Sequence, residues 1–193
     1  MSNNANASPT QVTTGVVRLS YANLNEAKSI NGGEERFSAS VLIPKTDTKT
    51  IERVNAAILQ AYNDGAGKLR GSGKTVPPMA TLKLPLRDGD AERPDDEAYA
   101  GHYFLNANNK ERPDIVDLNL NPIIDSSQLY SGIYARVHLG FYAFNANGNR
   151  GIAVALNGVQ KVKDGPSLGG RIKAADVFSD GFTFDDDDLD FLS

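Results

Sequence analysis

Alternation of apolar and polar residues is cleanest between residues 133 and 144. Side chains of an extended strand point to opposite faces in turn. Ile133, Ala135, Val137, Leu139, Phe141 and Ala143 therefore share one face, all apolar, while Tyr134, Arg136, His138, Gly140, Tyr142 and Phe144 share the other. A second extended run covers residues 151–163. Between the two, residues 145–149 contain an Asn-Gly pair that predicts a hairpin turn. Asn157-Gly158 then interrupts the second run as a β-bulge does.

Earlier in the chain, strands are predicted at residues 12–21 and 35–43, separated by the turn signal Asn31-Gly32-Gly33. In the second of these, Phe37, Ala39, Val41 and Ile43 take one face and Arg36, Ser38 and Ser40 the other, until Pro44 ends it. Ile51, Val54, Ile58, Ala61 and Tyr62 recur at helical spacing, which predicts one helix over residues 47–63 capped by Thr46 or Asp47. A Gly/Lys-rich loop follows at 65–78. Residues 81–86 read as a short strand that Pro85 confines to an edge. Residues 88–97 read as a charged loop, 99–106 as a strand, and 110–122 as a connection with a short extended piece. The chain is thus mainly β: an OB-fold-like barrel of five to six strands with one packed α-helix. A β-sandwich is the structural alternative.

A length of 193 residues suits one domain with loose ends. The expected division is a disordered N-terminus at 1–10, the barrel domain at 11–175 and an acidic tail at 176–193. With no cysteine, disulfides and thiolate metal sites are excluded. His102 and His138 are the only histidines, too few for most histidine-based metal sites. Gly71-Ser72-Gly73-Lys74-Thr75 imitates a P-loop, but Lys68 stands where the motif needs its first glycine. Pro77-Pro78 also denies the helix that would face a phosphate. Neither a catalytic constellation nor a cofactor is expected, and no export or membrane-spanning segment is read.

The net charge of −4 hides a split. Residues 176–193 hold seven aspartates and no Lys or Arg, whereas residues 1–175 carry about +3. A basic body with an acidic end is the asymmetry of nucleic-acid binders that carry an interaction tail. In the tail, Asp185, Asp186, Asp187, Asp188, Asp190 and Phe191 combine charge with a ring. So polar a segment cannot offset its ordering entropy and is expected to be disordered. It has the chemistry to mimic phosphates and bases in a basic groove, or to dock replication proteins.

The polar face of 133–144 mixes rings with a cation and has no acid. Unpaired bases stack on aromatic rings while Lys and Arg follow the phosphates, so such a face suits single-stranded nucleic acid. The residues singled out there are Tyr134, Arg136, His138, Tyr142 and Phe144. Tyr103 and Phe104 join them, since one of the pair must face away from the core, and the sequence leaves open which. Further cations expected along a groove are Arg18, Arg36, Lys110, Arg112, Lys161 and Lys163, with Lys68, Arg70 and Lys74 on a mobile loop.

Several segments resemble a family of tailed-phage single-stranded DNA-binding proteins. They are Arg112-Pro113, Asn119-Leu120-Asn121-Pro122-Ile123, Tyr130-Ser131-Gly132, the run at 151–162, Asp164-Gly165, Leu168-Gly169-Gly170 and Phe178. The resemblance implies an OB fold, binding of single-stranded DNA without sequence preference, and work in phage replication or recombination in the cytoplasm of an infected bacterium. Related acidic tails recruit partners through a terminal aromatic; here Leu192 and Ser193 follow Phe191. Two other readings use the same residues. In one, the aromatic face is a subunit interface of a structural or assembly protein, which includes a homodimer. In the other, the protein anneals strands.

Overall fold

In a computed structural model the described residues are 8–29, 31–146 and 148–168. Eight strands form one sheet: β1 (Gln11–Thr13), β2 (Val17–Ser29), β3 (Glu35–Pro44), β4 (Arg87–Asp88), β5 (His102–Asn109), β6 (Asp114–Val116), β7 (Tyr134–Ala146) and β8 (Asn149–Lys163). Helix α1 (Thr48–Asp64) and the short α2 (Ala66–Arg70) follow β3, and α3 (Gly89–Glu92) follows β4. The pairing runs β7–β2–β3–β5–β8 and returns to β7, so five long strands close on themselves. The β5–β8 contact is parallel, at Asn108 and Ala155, and the others in the ring are antiparallel. This is an OB-like barrel, with β1, β4 and β6 added at its rims.

Alternation places Val17 and Leu19, then Ala39, Val41 and Ile43, then Leu105 and Ala107 in the interior. There they meet Ala135, Val137, Leu139, Phe141, Ile152, Val154, Leu156 and Val159. Helix α1 closes the barrel with Val54, Ala57, Ile58 and Ala61, and its N-terminus is capped by the Asp47 carboxylate accepting from the Thr50 amide at 3.2 Å. Burying Val54 and Ile58 contributes about 1.5–3 kcal/mol each. Gly65, just past the helix, lies so close to Ala143 that a Cβ there would collide with it.

The hairpin forms as expected, with Ala146 opposite Asn149 and Gly148 at φ 81. The bulge at Asn157 forms too: His138 faces Gly158 and Leu139 faces Leu156, which leaves Asn157 unopposed. Several segments depart from the sequence reading, among them residues 88–97, read as a charged loop, which hold α3, and the first strand region, which runs on to Ser29. The strand expected at 12–21 breaks at residues 14–16, where Thr14 exchanges hydrogen bonds with Val137 and the Gly15 amide donates to Thr50 Oγ1. The strand expected at 99–106 starts three residues later, because Tyr99 ends a 3₁₀ turn, Glu97–Tyr99. Residues 81–86 form no strand, only a bridge between Lys83 and Gly151. Within the loop at 65–78, α2 forms and its Lys68 carbonyl accepts from Asn145 Nδ2 at 3.0 Å.

Both faces of β3 are buried, which its alternation hid. Leu42 points outward, where residues 87–101 fold over it and form a second small core of Leu42, Tyr99 and Phe104. The two rings meet edge to face at 5.0 Å, and the Tyr99 hydroxyl donates to Ser40 Oγ at 3.0 Å. Lys45 fastens the start of this segment through Asp88 and Asp90, at 2.8 and 2.7 Å. Among the described residues no helix is long and apolar enough to cross a membrane.

Candidate functional site

Directly opposed residues on paired strands share a face, so the register lists what the barrel wall shows to the outside. Lys163 opposes Tyr134, Tyr134 opposes Arg18, Arg18 opposes Leu42, Leu42 opposes Phe104, and Phe104 opposes Arg87. These six form a belt on the outer side of the barrel wall, made of three cations, two rings and one leucine, in which Leu42 and Phe104 are covered by residues 87–101. Arg18 lies 5.4 Å and Lys163 4.8 Å from the Tyr134 centroid, and Arg87 lies 4.9 Å from that of Phe104. Arg18 is fixed by donating to the carbonyls of Gly132 at 3.3 Å and Pro166 at 2.7 Å. Its charge is not matched by any ion pair among the described residues.

One step along the strands the wall turns polar. Ser20, Ser40 and Asn106 form one row, followed by Asn23, Ser38 and Asn108. The three serines are buried, Ser40 accepting from Tyr99 and Ser38 from Asn23, while the amides of Asn23, Asn106 and Asn108 are the more open groups of the rows. Arg36 joins them, donating to Asn108 Oδ1 at 3.1 Å and to Glu34 at 3.2 Å. Lys110 meets the same carboxylate at 3.0 Å, and that bond chiefly draws the Glu34 carboxyl below its ordinary range. β3 and β5 are the second and third strands of the barrel, the pair that faces oligonucleotides in OB folds.

The outward face of β7 continues from the belt. Arg136 donates to the Thr14 carbonyl at 3.1 Å, and His138 Nδ1 lies 2.8 Å from Thr13 Oγ1. Tyr142 is 43% exposed, and Phe144 is half-buried opposite Gly151. At the far end the α2 turn rests on the hairpin. Lys68, Arg70 and Lys74 are exposed there, and a Cβ on Gly71 would lie 3.8 Å from the Arg150 guanidinium. None of these four cations forms an ion pair among the described residues.

The residues expected from sequence thus separate. Arg18, Tyr134 and Lys163 come together on the belt. Phe104 also lies on it but is fully buried beneath Tyr99 and Arg87, so no base reaches its ring. Tyr103 is the more open of that pair and lies 5.0 Å from Lys45 Nζ. Arg36 and Lys110 are near the polar rows but share Glu34. Arg136, His138, Tyr142 and Phe144 extend along β7 towards Lys68, Arg70 and Lys74. Lys161 does not face outward: it opposes Ala135 on the core side, is 9% exposed, and pairs with Asp164 at 2.8 Å. A second register shift, between Tyr134 and Ala135, reverses it relative to Lys163. Arg112 lies elsewhere, donating to the Leu24 carbonyl in a separate groove of about 950 Å³. Asp185, Asp186, Asp187, Asp188, Asp190 and Phe191 lie outside the described residues. Sequence reasoning missed Arg87 and Arg93, because they sit in a stretch that reads only as a charged loop, and Tyr21, because it ends an expected strand.

The family described as the Enterobacter phage Enc34 single-stranded DNA-binding protein matches residues 10–192 of this chain. Protein p50 of Acyrthosiphon pisum secondary endosymbiont phage 1 is 34% identical over 172 residues, which is 85% of this chain and 90% of that protein. The Enc34 protein solved in complex with single-stranded DNA has a TM-score of 0.67 at 20% identity, over 83% of this chain and 90% of its own. The single-stranded DNA-binding protein gp2.5 of bacteriophage T7 has a TM-score of 0.58 at 11% identity, over 84% of this chain and 97% of its own. The two structural likenesses show a shared fold.

Proposed function

The chain belongs to the family of the Enterobacter phage Enc34 single-stranded DNA-binding protein, and from that membership we propose how it works: it binds single-stranded DNA on the outer wall of its barrel. The role of the family is binding, and no catalytic step is assigned to this chain. The DNA crosses the open part of the belt at Arg18, Tyr134 and Lys163, beside the segment 87–101 that covers Leu42 and Phe104, and then follows β7 past Arg136, His138, Tyr142 and Phe144 to Lys68, Arg70 and Lys74. Binding is independent of sequence, because every base has a π-face to stack and every nucleotide a phosphate to neutralise. The protein protects exposed strands during phage replication or recombination in the cytoplasm of the infected bacterium.

The observation that carries this reading is the Tyr134 ring set between Arg18 and Lys163, a stacking surface joined to two phosphate partners. A duplex hides its bases inside the stack and cannot use the ring. The tail at 176–193 is proposed as a separate unit that competes for the same surface and recruits replication proteins. The experiment is a titration of fluorescent oligo-dT and of a duplex of equal length at two salt concentrations. Tighter, salt-sensitive binding of the single strand is expected; equal affinity for both forms would overturn the reading.

A further inference from the structure

Tyr21 is 61% exposed, more than any other aromatic side chain among the described residues. Strict alternation would turn it inward, since Leu19 faces the core and Ser20 opposes Ser40 on the outer wall. The β2–β3 register instead shifts between Ser20 and Asn23, and Tyr21 sits at φ 46. A bulky residue with such a backbone is strained, and strain persists only where the surroundings hold it. The shift turns a ring from the barrel interior out to the wall beside the polar rows.

Arg93 stands next to that ring. Its guanidinium lies 5.9 Å from the Tyr21 centroid, 5.7 Å from that of Tyr99 and 5.9 Å from that of Phe104. Neighbouring cations are matched, Arg87 by Glu92 and Lys45 by Asp88 and Asp90. Arg93 has no ion pair among the described residues. Among the described residues this planar cation meets the three rings and its guanidinium donates no hydrogen bond.

We propose that Tyr21 and Arg93 form a nucleobase-stacking subsite, in which an unpaired base lies on the open face of Tyr21 and Arg93 receives the adjoining phosphate. The assignment rests on the single-strand binding argued above and places one nucleotide at the β3–β5 end of its path. Both halves of a nucleotide find a partner here: the base a ring, the phosphate an unmatched guanidinium. An apolar peptide laid on Tyr21 would leave Arg93 without a counter-charge.

The chain has no tryptophan, so Tyr21→Trp in the full-length protein supplies a single local reporter. Its emission should be quenched by oligo-dT, with the same midpoint as binding followed by anisotropy of labelled DNA. Tyr21→Asn removes the ring while tolerating the left-handed backbone, and should weaken oligo-dT binding roughly 5- to 150-fold. Tyr21→Phe should bind as the unmodified protein does. Arg93→Ala should lower the slope of log affinity against log salt by about 0.7, while Arg93→Lys retains the slope. Unchanged tryptophan emission at saturation, or full affinity in a folded Tyr21→Asn variant, overturns the subsite and leaves single-strand binding standing. Failure of the unmodified protein to bind oligo-dT overturns both.

Discussion

The Lys163 ammonium lies 4.8 Å from the centre of the Tyr134 ring, across directly paired strands. Arg18 approaches the same ring from β2, at 5.4 Å, so two cations stand beside one tyrosine. Tyr134→Ala should lower oligo-dT affinity by about 1–3 kcal/mol. Lys163→Ala should mainly flatten the salt dependence, by about 0.7 in slope. Anisotropy titrations at several salt concentrations separate the two effects.

Tyr142 and Phe144 test whether DNA follows β7 beyond the belt. If it does, Tyr142→Ala and Phe144→Ala each weaken binding by about 1–3 kcal/mol for long oligomers. A short oligomer that covers only the belt should bind both variants as it binds the unmodified protein. Equal affinity for every length would confine the path to the belt.

Deleting residues 176–193 removes seven negative charges and leaves a body of about +3. Affinity for single-stranded DNA should rise, most at low salt, where screening is weakest. The measurement is the ratio of dissociation constants of full-length and shortened protein across a salt series. A ratio that stays at one removes competition by the tail.

Tyr99→Phe leaves the edge-to-face contact with Phe104 in place but deletes the hydroxyl that donates to buried Ser40. Thermal or denaturant unfolding should report a loss of about 0.5–1.5 kcal/mol. Because Ser40→Ala removes the other half of the same bond, the double variant should lose less than the sum of the two singles.

The Lys45 cluster sets a pH window. The hydrogen bond from Lys45 is the chief cause that holds the Asp88 and Asp90 carboxyls below their ordinary 3.8. The bonds to Asp88 and then Asp90 raise Lys45 above its ordinary 10.5. A depressed carboxyl stabilises the fold above 3.8, and that contribution is lost as pH falls through its lowered value. A raised amine stabilises below 10.5 and loses this as pH climbs through its raised value. The melting difference between the protein and Lys45→Met should be constant between those ordinary values and shrink on either side of them. A difference independent of pH would show that the cluster adds no linked stability.

Alternation made β7 legible, because one face meets the barrel interior and the other faces outward. The helix at Thr48–Asp64 was legible for the same reason, and Asn157 announced its own bulge. Lys161 was misplaced because a second register shift follows, and one unopposed residue exchanges inside for outside. Leu42 reads as an outward position on a half-buried strand. Only the fold reveals that residues 87–101, distant in sequence, return to cover it. Tyr21 and Arg93 escaped notice because neither belongs to a periodic run. A bulge and a charged loop bring them together, and neither feature signals the other.

Closure of the barrel has a kinetic consequence. Val17 pairs with Ala135, and Asn108 pairs with Ala155, so the earliest long strand waits for one of the last. Until residue 163 has emerged from the ribosome, Leu19, Val41 and Leu105 have no complete β7–β8 hairpin to pack against. Such non-local pairing slows folding and leaves apolar edges exposed in the nascent chain. The β7–β8 hairpin pairs locally, so closure of the barrel is expected to follow its formation.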